Sequence, residues 1–532
     1  MLLPLSTDTT NENRVRHRIL SAAARHLSEA EYDNALLDRV ARQTDCRPES
    51  ISRYFQTSND VVIGLYSRFA SDLESRVVEL PESTLAERFR ALINIKFEIM
   101  EPYRRTLSGL TPALSDPNSD LGVRSKETEM IRARVRGIIA QTIEGATDKS
   151  DLPVDLLIQN LYSLYLALMW VWFNDPHASN KRPEAMLNAA CRAISVSTPF
   201  LGSALKLPLK VATSIQRSLL WKTDVVSDQK AREALRVLFT YRRLFPGYDD
   251  CASRPCNSCL ALHLPKAAFY ISSGRPIHLI LPAFPAKSPN RRKTLGPLPD
   301  MAEEQALFFI ADICSQIQKI HEPGVRFTIC SDGHVFGDLV GVTDDEITEY
   351  GAELSRMIAR LGLENVIDTF SLTDLYEDLD YEVMRQNLNR DYEQTVDSIK
   401  QRATRIPQSR KLVDGIHRFL FEDKVVLEEG RSRTQIRNEC RELAYQVVQR
   451  SDGWGRLLSD CFPAALRLSI HPQEPHSDKI GILLGKSDDV WLTPWHSAAV
   501  KTNEGFKLMK SSDAKEMGAT MSADRRYYEL RG

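Results

Sequence analysis

The sequence has almost no net charge, no apolar run of membrane-spanning length and no repeated or low-complexity segment. Its 69 basic and 71 acidic residues leave a net charge of −2, so the composition gives no global attraction to nucleic acid or to an anionic membrane. The N-terminus lacks the basic segment and apolar core of a signal peptide. We therefore expect a cytoplasmic protein, in which the nine cysteines stay reduced.

The most apolar stretch covers residues 161–173, which is thirteen residues. A helix that crosses a bilayer needs about 20 predominantly apolar residues. This stretch is therefore predicted to be a buried helix.

The 532 residues exceed what one core usually accommodates, and their pattern predicts a multidomain chain. An all-α bundle is expected first, with short helices in residues 1–62 and longer ones in 63–205. Residues 206–226 are predicted to form a connecting helix. An α/β domain with a Rossmann-like, largely parallel sheet is expected in 227–532.

The hydrophobic periodicity locates the individual elements. Apolar residues at helical spacing predict helices at 83–101, 126–144, 152–173 and 183–196. Short apolar runs predict strands at 277–283, 326–330, 366–371, 465–470, 480–484 and 490–493.

Residues 14–62 resemble the DNA-binding head of the TetR (tetracycline-repressor) family. The matching residues are Ile19, Leu20, Ala22 and Ala23 in the first helix, Val40 and Ala41 in the second, and Tyr54 and Phe55 at the end of the recognition helix. The resemblance implies a helix-turn-helix head followed by a ligand-binding and dimerisation domain. It makes Arg47, Ser52, Arg53 and Tyr54 the candidate DNA contacts, and we expect a homodimer through residues 183–196.

The head also departs from that family. Asp45 replaces the usual turn glycine, and Arg47 and Glu49 replace small residues that enter the recognition helix. Residues 1–60 contain eight arginines, no lysine and nine acidic residues, whereas duplex binding depends on cations that contact phosphates. A bundle that dimerises without reading DNA is an equal alternative.

A basic loop follows the predicted strand at 277–283. The run KSPNRRK carries four cations, and it includes Lys287, Ser288, Asn290, Arg291 and Lys293. Ligands of doubly wound sheets lie beyond the carboxyl ends of strands, and Lys and Arg bind phosphates and carboxylates. The loop is therefore predicted to bind an anion rather than to be a solvated loop, because its prolines make it rigid.

The next strand ends in Ser331-Asp332-Gly333, and Asp338 follows shortly after. A carboxylate at a strand end beside a basic loop is a candidate general base. The alternative for Asp332 is a turn or helix cap.

These stretches resemble the isocyanide (isonitrile) synthase family, which includes the pyoverdine and dityrosine biosynthesis proteins. The hallmark blocks are LPAFPAKSPN, K-x-LG-x-LPDMAE, I-CSDG-x-VF-x-DLVGV, ALRLSIHP and TPWH. The resemblance implies an enzyme that converts the amine of tyrosine or tryptophan to an isocyanide. Ribulose-5-phosphate would supply the carbon, no redox cofactor would be needed, and some relatives would make an N-formyl product instead.

Such a reaction needs cations, an acid/base pair and an apolar slot. Lys287, Lys293 and Arg291 are predicted to bind phosphate. Asp332 and His496 are predicted to transfer protons because histidine titrates near neutral pH, and Lys287 is a third catalytic candidate. Further candidates for substrate contacts are Ser288, Asn290, Ser331, His334, Asp338, Arg467 and His471, with Phe284 and Trp495 in the slot. A transcription regulator that senses pathway metabolites is the alternative function.

One cysteine motif stands apart from these blocks. Cys251, Cys256, Cys259 and His263 form C-x4-C-x2-C-x3-H, which could hold a zinc ion. Buried free thiols are the preferred interpretation, because the implied chemistry needs no metal.

Overall fold

The computed structural model describes residues 19–27, 36–44, 55–116, 119–123, 125–148, 154–175, 181–204, 225–248, 251, 257–376, 379–392 and 394–530. A helical bundle extends to residue 204, and an α/β domain begins at residue 225. The predicted connecting helix lies almost wholly outside the described residues. The candidate DNA contacts Arg47, Ser52, Arg53 and Tyr54 also lie outside them, so a DNA-reading role stays a prediction.

The bundle consists of one helical segment at residues 19–27 and eight further helices. In chain order these are α1 (19–27), α2 (Leu36–Thr44), α3 (Ser58–Val77), α4 (Leu85–Met100), α5 (Arg104–Gly109), α6 (Thr111–Ser115), α7 (Glu129–Glu144), α8 (Val154–Phe173) and α9 (Lys181–Ala204). The four predicted long helices are confirmed as α4, α7, α8 and α9. Capping boxes at Thr57 and Thr84 fix the starts of α3 and α4, since each threonine side chain accepts a hydrogen bond from the backbone three residues on.

Helix α8 contains the apolar stretch. Within the described residues it is the one helix that is long and apolar enough to cross a membrane. Leu168 and Trp172 are fully buried in the bundle core, whereas Trp170 is 49% exposed. The predicted buried helix is thus confirmed for one face of α8.

The α/β domain contains eleven further helices within the described residues. They are α10 (Val225–Thr240), α11 (Asn257–Ala261), α12 (Leu264–Ser272), α13 (Met301–Ile320), α14 (Gly333–Val340), α15 (Asp344–Arg360), α16 (Tyr381–Tyr392), α17 (Val396–Arg405), α18 (Pro407–Leu427), α19 (Arg433–Cys461) and α20 (Ser511–Glu516). Short 3-10 turns lie at Glu101–Tyr103, Leu372–Asp374 and Pro494–His496.

Five parallel strands form the central sheet in the order β3-β2-β1-β4-β5. They are β1 (Ile277–Pro282), β2 (Val325–Cys330), β3 (Ile367–Phe370), β4 (Leu466–Ser469) and β5 (Ile480–Gly481). The predicted parallel α/β sheet is therefore confirmed. Because Pro282 pairs with Cys330, β1 and β2 end at the same level, and their carboxyl ends form one edge.

The central sheet is covered on both faces. Leu279 and Leu281 of β1 point into one core and Ile280 points into another, so neither face of this strand reaches water. Such double burial explains why β1 appears in the sequence as a continuous apolar run rather than an alternating one.

A second, smaller sheet was not predicted. It has the order β7-β6-β9-β8, with β6 (Ala498–Thr502), β7 (Gly505–Met509), β8 (Thr520–Met521) and β9 (Tyr528–Glu529). The strand predicted at 490–493 is wrong, because this segment is a turn. The Asp489 carboxylate accepts a hydrogen bond from Trp491 N at 2.8 Å, which bends the backbone there.

Buried ion pairs attach the bundle to the α/β domain. Glu74 of α3 contacts Arg134 of α7 at 2.8 Å and Lys266 of α12 at 2.9 Å. Although burial raises the pKa of Glu74, the two cations outweigh it and lower the pKa to about 2. Arg68 of α3 likewise pairs with Asp460 of α19 at 2.5 Å, and the two domains therefore share buried charges.

Replacing Glu74 should destabilise the whole chain. Glu74→Ala leaves Arg134 and Lys266 as unpaired buried cations, which is expected to lower the free energy of unfolding by about 3–5 kcal/mol. Urea denaturation followed by circular dichroism measures this. The control is Glu98→Ala, because the Glu98 side chain is 68% exposed in its pair with Arg76 and should cost under about 1 kcal/mol. Equal losses in the two variants would contradict a structural role for the buried cluster.

Candidate active site

A cavity opens at the carboxyl ends of β1, β2 and β4, where the sequence predicted a ligand. Its empty volume is about 980 Å³, which includes the space open to solvent. The loop after β1 and the start of α14 line one side, and helices α18 and α19 lie opposite. Polar lining residues are Lys287, Ser288, Asp332, Asp423, Ser451, His471, Thr493 and His496.

Asp332 is the carboxylate of this cavity. It is 7% exposed, and its Oδ1 has no hydrogen-bond partner among the described residues. Burial raises its pKa to about 7. Although Asp332 directly precedes α14, its side chain makes no capping hydrogen bond, so the alternative role as a helix cap is not what the structure shows.

Close backbone packing holds Asp332 in place. A Cβ atom at Gly333 would lie 2.2 Å from the carbonyl oxygen of Pro285, so only glycine allows α14 to start against the loop after β1. The Ser331 hydroxyl donates to the carbonyl of Phe284 at 3.1 Å, on the same loop. Ser331 therefore supports the site rather than lining the cavity.

Lys287 is completely buried and fully engaged. Its ammonium lies 2.9 Å from Asp300 and 2.9 Å from Glu303, and it donates to the carbonyl of Pro494 at 3.1 Å. Burial lowers the pKa of Lys287, but the two carboxylates outweigh this and raise the pKa above its usual value. The Lys287 ammonium thus contacts two carboxylates and a backbone carbonyl, where the sequence predicted a phosphate.

The polar side chains of the basic loop converge on helix α18. Asp423 accepts hydrogen bonds from Ser288 at 3.0 Å and from Asn290 at 3.1 Å, and it pairs with Lys293 at 2.6 Å. Arg291 is exposed and donates to Thr294 at 3.1 Å. Helix α18 therefore pairs with Lys293 and holds Ser288 and Asn290, whereas Arg291 and Arg292 are exposed. Phosphate binding by the loop stays a prediction.

Two histidines form the opposite side of the cavity. The His496 ring stacks on Phe419 at 4.8 Å between centroids, and its Nδ1 lies 3.0 Å from the Thr493 hydroxyl. Burial, with Lys293 adding to it, lowers the pKa of His496 well below its usual range. Burial also lowers the pKa of His471 to about 3. Both rings are therefore neutral at pH 7, so the predicted titration of His496 near neutral pH is wrong.

Four predicted residues point elsewhere. His334 stacks on Tyr381 at 4.3 Å and contacts Thr348, and Asp338 pairs with Arg450 at 2.5 Å. Arg467 lies 3.6 Å from Asp478, and Phe284 is buried against Trp495, with ring centroids 5.3 Å apart. None of the four lines the cavity, whereas Trp495 does.

The apolar wall was missed by the sequence analysis. Two helices contribute apolar residues spaced by three or four positions, which places them on one helix face, and a third helix contributes one residue. The residues of this wall are Phe336 and Val340 of α14, Ile416, Phe419 and Leu420 of α18, and Val447 of α19. The helical periodicity of 407–461 was the available signal, but it does not show which face meets the cavity.

The cysteine motif lies away from the cavity. The sulfur atoms of Cys251 and Cys259 are 3.1 Å apart, while Cys256 lies outside the described residues. The His263 ring packs edge-on against Phe239, and burial lowers its pKa to about 4. Across the described part of the chain, no three histidine, cysteine or acidic side chains are grouped as metal ligands.

The buried Asp332 should make stability depend on pH in a specific direction. Its folded pKa of about 7 exceeds the ordinary value of about 3.9, so ionisation of Asp332 lowers the free energy of unfolding. This loss grows as the pH rises from about 3.9 to about 7 and is constant at higher pH. Asp332→Asn should therefore be more stable than the native chain by roughly 2–4 kcal/mol at pH 8.5 and by less at pH 5.5. Urea unfolding at the two pH values measures the difference, and a gap that does not widen with pH would contradict the burial of this carboxylate.

Comparisons with known proteins agree with the hallmark blocks. The pyoverdine/dityrosine biosynthesis protein family matches residues 268–522. The L-tryptophan isonitrile synthase AmbI2 of Fischerella ambigua is 47% identical over 300 residues, which are 56% of this chain and 89% of that protein. The L-tyrosine isonitrile synthase of Pseudomonas aeruginosa is 40% identical over 303 residues, 56% of this chain and 92% of that protein.

The fold agrees as well. The crystal structure of PvcA from Pseudomonas aeruginosa superposes with a TM-score of 0.54 at 39% identity, over 57% of this chain and 99% of that one. Since 300 residues make up nearly all of AmbI2, that protein has no room for a counterpart of the helical bundle. With its matched blocks, its parallel sheet and this identity to relatives covered almost from end to end, the chain belongs to the pyoverdine/dityrosine biosynthesis protein family, the isocyanide synthase family.

Proposed function

We propose that this protein is an isonitrile synthase that acts on an aromatic L-amino acid. Its relatives include enzymes named for L-tryptophan and for L-tyrosine, and both kinds are covered by this chain over most of their length. The observation that carries the proposal is the buried carboxylate of Asp332, whose Oδ1 has no hydrogen-bond partner among the described residues and which lines the same cavity as the apolar wall.

The pKa of Asp332 suits the first step of such a reaction. An amino acid arrives with a protonated amine, which cannot attack a carbonyl carbon. A carboxylate with a pKa of about 7 accepts that proton more readily than an ordinary aspartate. We assign Asp332 as the base that frees the amine, with the neutral rings of His471 and His496 as hydrogen-bonding groups across the same cavity.

We further propose that ribulose-5-phosphate supplies the isocyanide carbon, as the family resemblance implies. The amine would condense with the sugar ketone, and the sugar skeleton would then fragment without a redox cofactor. Because Lys287, Lys293, Ser288 and Asn290 are already paired, a phosphate would have to compete with Asp300, Glu303 or Asp423 for them. Product mass distinguishes an isocyanide from an N-formyl amino acid.

The biological setting is proposed on the same basis. We place the protein in the cytoplasm, where it makes a secondary metabolite, and we propose a homodimer through α9, which includes residues 183–196. The metabolite-sensing regulator is the less favoured function, because the cavity and the hallmark blocks are complete.

The direct test is conversion of an amino acid. The full chain is incubated with ribulose-5-phosphate and tryptophan, tyrosine or phenylalanine, and the isocyanide is measured by mass spectrometry. Asp332→Asn should lower kcat/KM by at least about 100-fold, since it keeps the shape but removes the base. The control Asp345→Asn changes an exposed carboxylate on α15 and should keep full activity.

Two outcomes would contradict the proposal. Absence of product from all three amino acids, with a folded chain, would reject the synthase. Product formation by Asp332→Asn at the native rate would reject Asp332 as the base. Lys287→Ala is not a suitable probe, because it leaves Asp300 and Glu303 as unpaired buried carboxylates and should unfold the site.

A second measurement concerns the choice of amino acid. Ser451 lies one helical turn beyond Val447 on α19 and adds a hydroxyl to the apolar side of the cavity. This hydroxyl can hydrogen-bond an indole N–H or a phenol O–H but gains nothing from a phenyl ring. Ser451→Ala should lower kcat/KM for the preferred substrate about fivefold, because the loss of one hydrogen bond costs roughly 1 kcal/mol. The kcat/KM for phenylalanine should not change. Equal losses for all amino acids would assign Ser451 no role in selection.

A further inference from the structure

Two thiols lie in direct contact at the start of the α/β domain. The sulfur atoms of Cys251 and Cys259 are 3.1 Å apart. A disulfide requires about 2.05 Å between sulfurs, so a movement of about 1 Å would complete the bond. The pair is separate from the cavity, because neither cysteine lines it.

A cation lies beside both sulfurs. The Arg242 guanidinium approaches Cys259 at 3.7 Å and Cys251 at 3.9 Å, and it also donates to the carbonyl of Cys251 at 3.4 Å. It is held over the Phe239 ring at 4.6 Å. Its N–H groups approach both sulfurs, so the guanidinium can stabilise the negative charge that a sulfur carries while it attacks or leaves.

The two cysteines differ in their access to solvent. Cys251 is partly exposed, whereas Cys259 is 3% exposed and lines a small cavity together with Arg242 and His263. An outside reagent therefore meets Cys251 first, and Cys259 lies in position to attack the product. This is the arrangement of an attacking thiol next to a resolving thiol.

We propose that Cys251 and Cys259 form a redox-active dithiol that is oxidised reversibly by a low-molecular-weight disulfide. The Cys251 thiolate attacks one sulfur of the disulfide, which breaks that bond, forms a mixed disulfide and releases one thiolate. The Cys259 thiolate then attacks the Cys251 sulfur and expels the second thiolate. The two protons of the cysteines go to the released thiolates, so the small disulfide is reduced to two thiols while the protein gains one disulfide.

The dithiol lies next to a residue that contacts the backbone around the active site. Arg243 directly follows Arg242, and its guanidinium donates to the carbonyls of Ile470 and Leu492, which precede His471 and Thr493 of the cavity. The dithiol therefore contacts a residue whose neighbour in the chain holds the backbone on the histidine side of the cavity.

The test uses the full chain in glutathione buffers. Reduced protein is equilibrated with increasing proportions of glutathione disulfide and quenched in acid. Free thiols are then alkylated, and the unreduced peptides are mapped by mass spectrometry. We expect one intramolecular cross-link between Cys251 and Cys259, which dithiothreitol reverses and which both Cys251→Ser and Cys259→Ser remove. The control Cys314→Ser should leave it intact, because burial raises the pKa of that thiol to about 12 and keeps it unreactive.

Arg242→Gln supplies a kinetic readout and should slow oxidation several-fold at pH 7 while leaving the final cross-link unchanged. Three results would overturn the proposal: no cross-link in a folded chain at high glutathione disulfide, a cross-link that maps to Cys256, or a stoichiometric zinc ion that protects both thiols. None of these depends on isonitrile formation, so the proposal stands or fails apart from the proposed activity.

Discussion

The burial of one ammonium group sets the shape of the active site. Lys287 brings together the loop after β1, the start of α13 and the turn at Pro494–His496, since its partners belong to all three segments. Removal of such an ion from its carboxylates would leave uncompensated buried charges, at a cost of several kcal/mol. The position of the histidine side relative to Asp332 depends on this contact. One network of buried charges and hydrogen bonds therefore links the hallmark blocks around Lys287, Asp300 and Pro494.

The cavity has two kinds of surface, one polar and one apolar. The strand ends supply polar groups such as Asp332, held by close backbone packing such as that of Gly333 against Pro285. Helices α18 and α19 supply the apolar wall, and Asp423 fastens α18 to the loop after β1. The apolar wall can therefore change through the helices, while the polar groups remain at the edge of the sheet.

Local sequence signals predicted the sheet and its carboxylate correctly. Buried apolar residues lie on both faces of β1 and β2, which their apolar-rich runs indicated, and Asp332 lies two residues after the end of β2. The partners of the cations could not be predicted, because they come from distant elements: Ser288 meets Asp423 across 135 residues. The neutral state of His496 depends on burial, which no motif encodes. Strands β6 to β9 are short and partly exposed, so their periodicity is weak.

The buried ion pairs between the bundle and the α/β domain bear on how such a chain could arise by evolution. Their charged members, Lys266 and Asp460 on one side and Arg68 and Glu74 on the other, are groups that water hydrates well when they are uncovered. Without the bundle, Lys266 and Asp460 of this chain would be hydrated charges, and a lone ammonium or carboxylate does not promote aggregation as an apolar patch does. A gene fusion could thus join two such parts without exposing an apolar surface on either of them beforehand at these four positions.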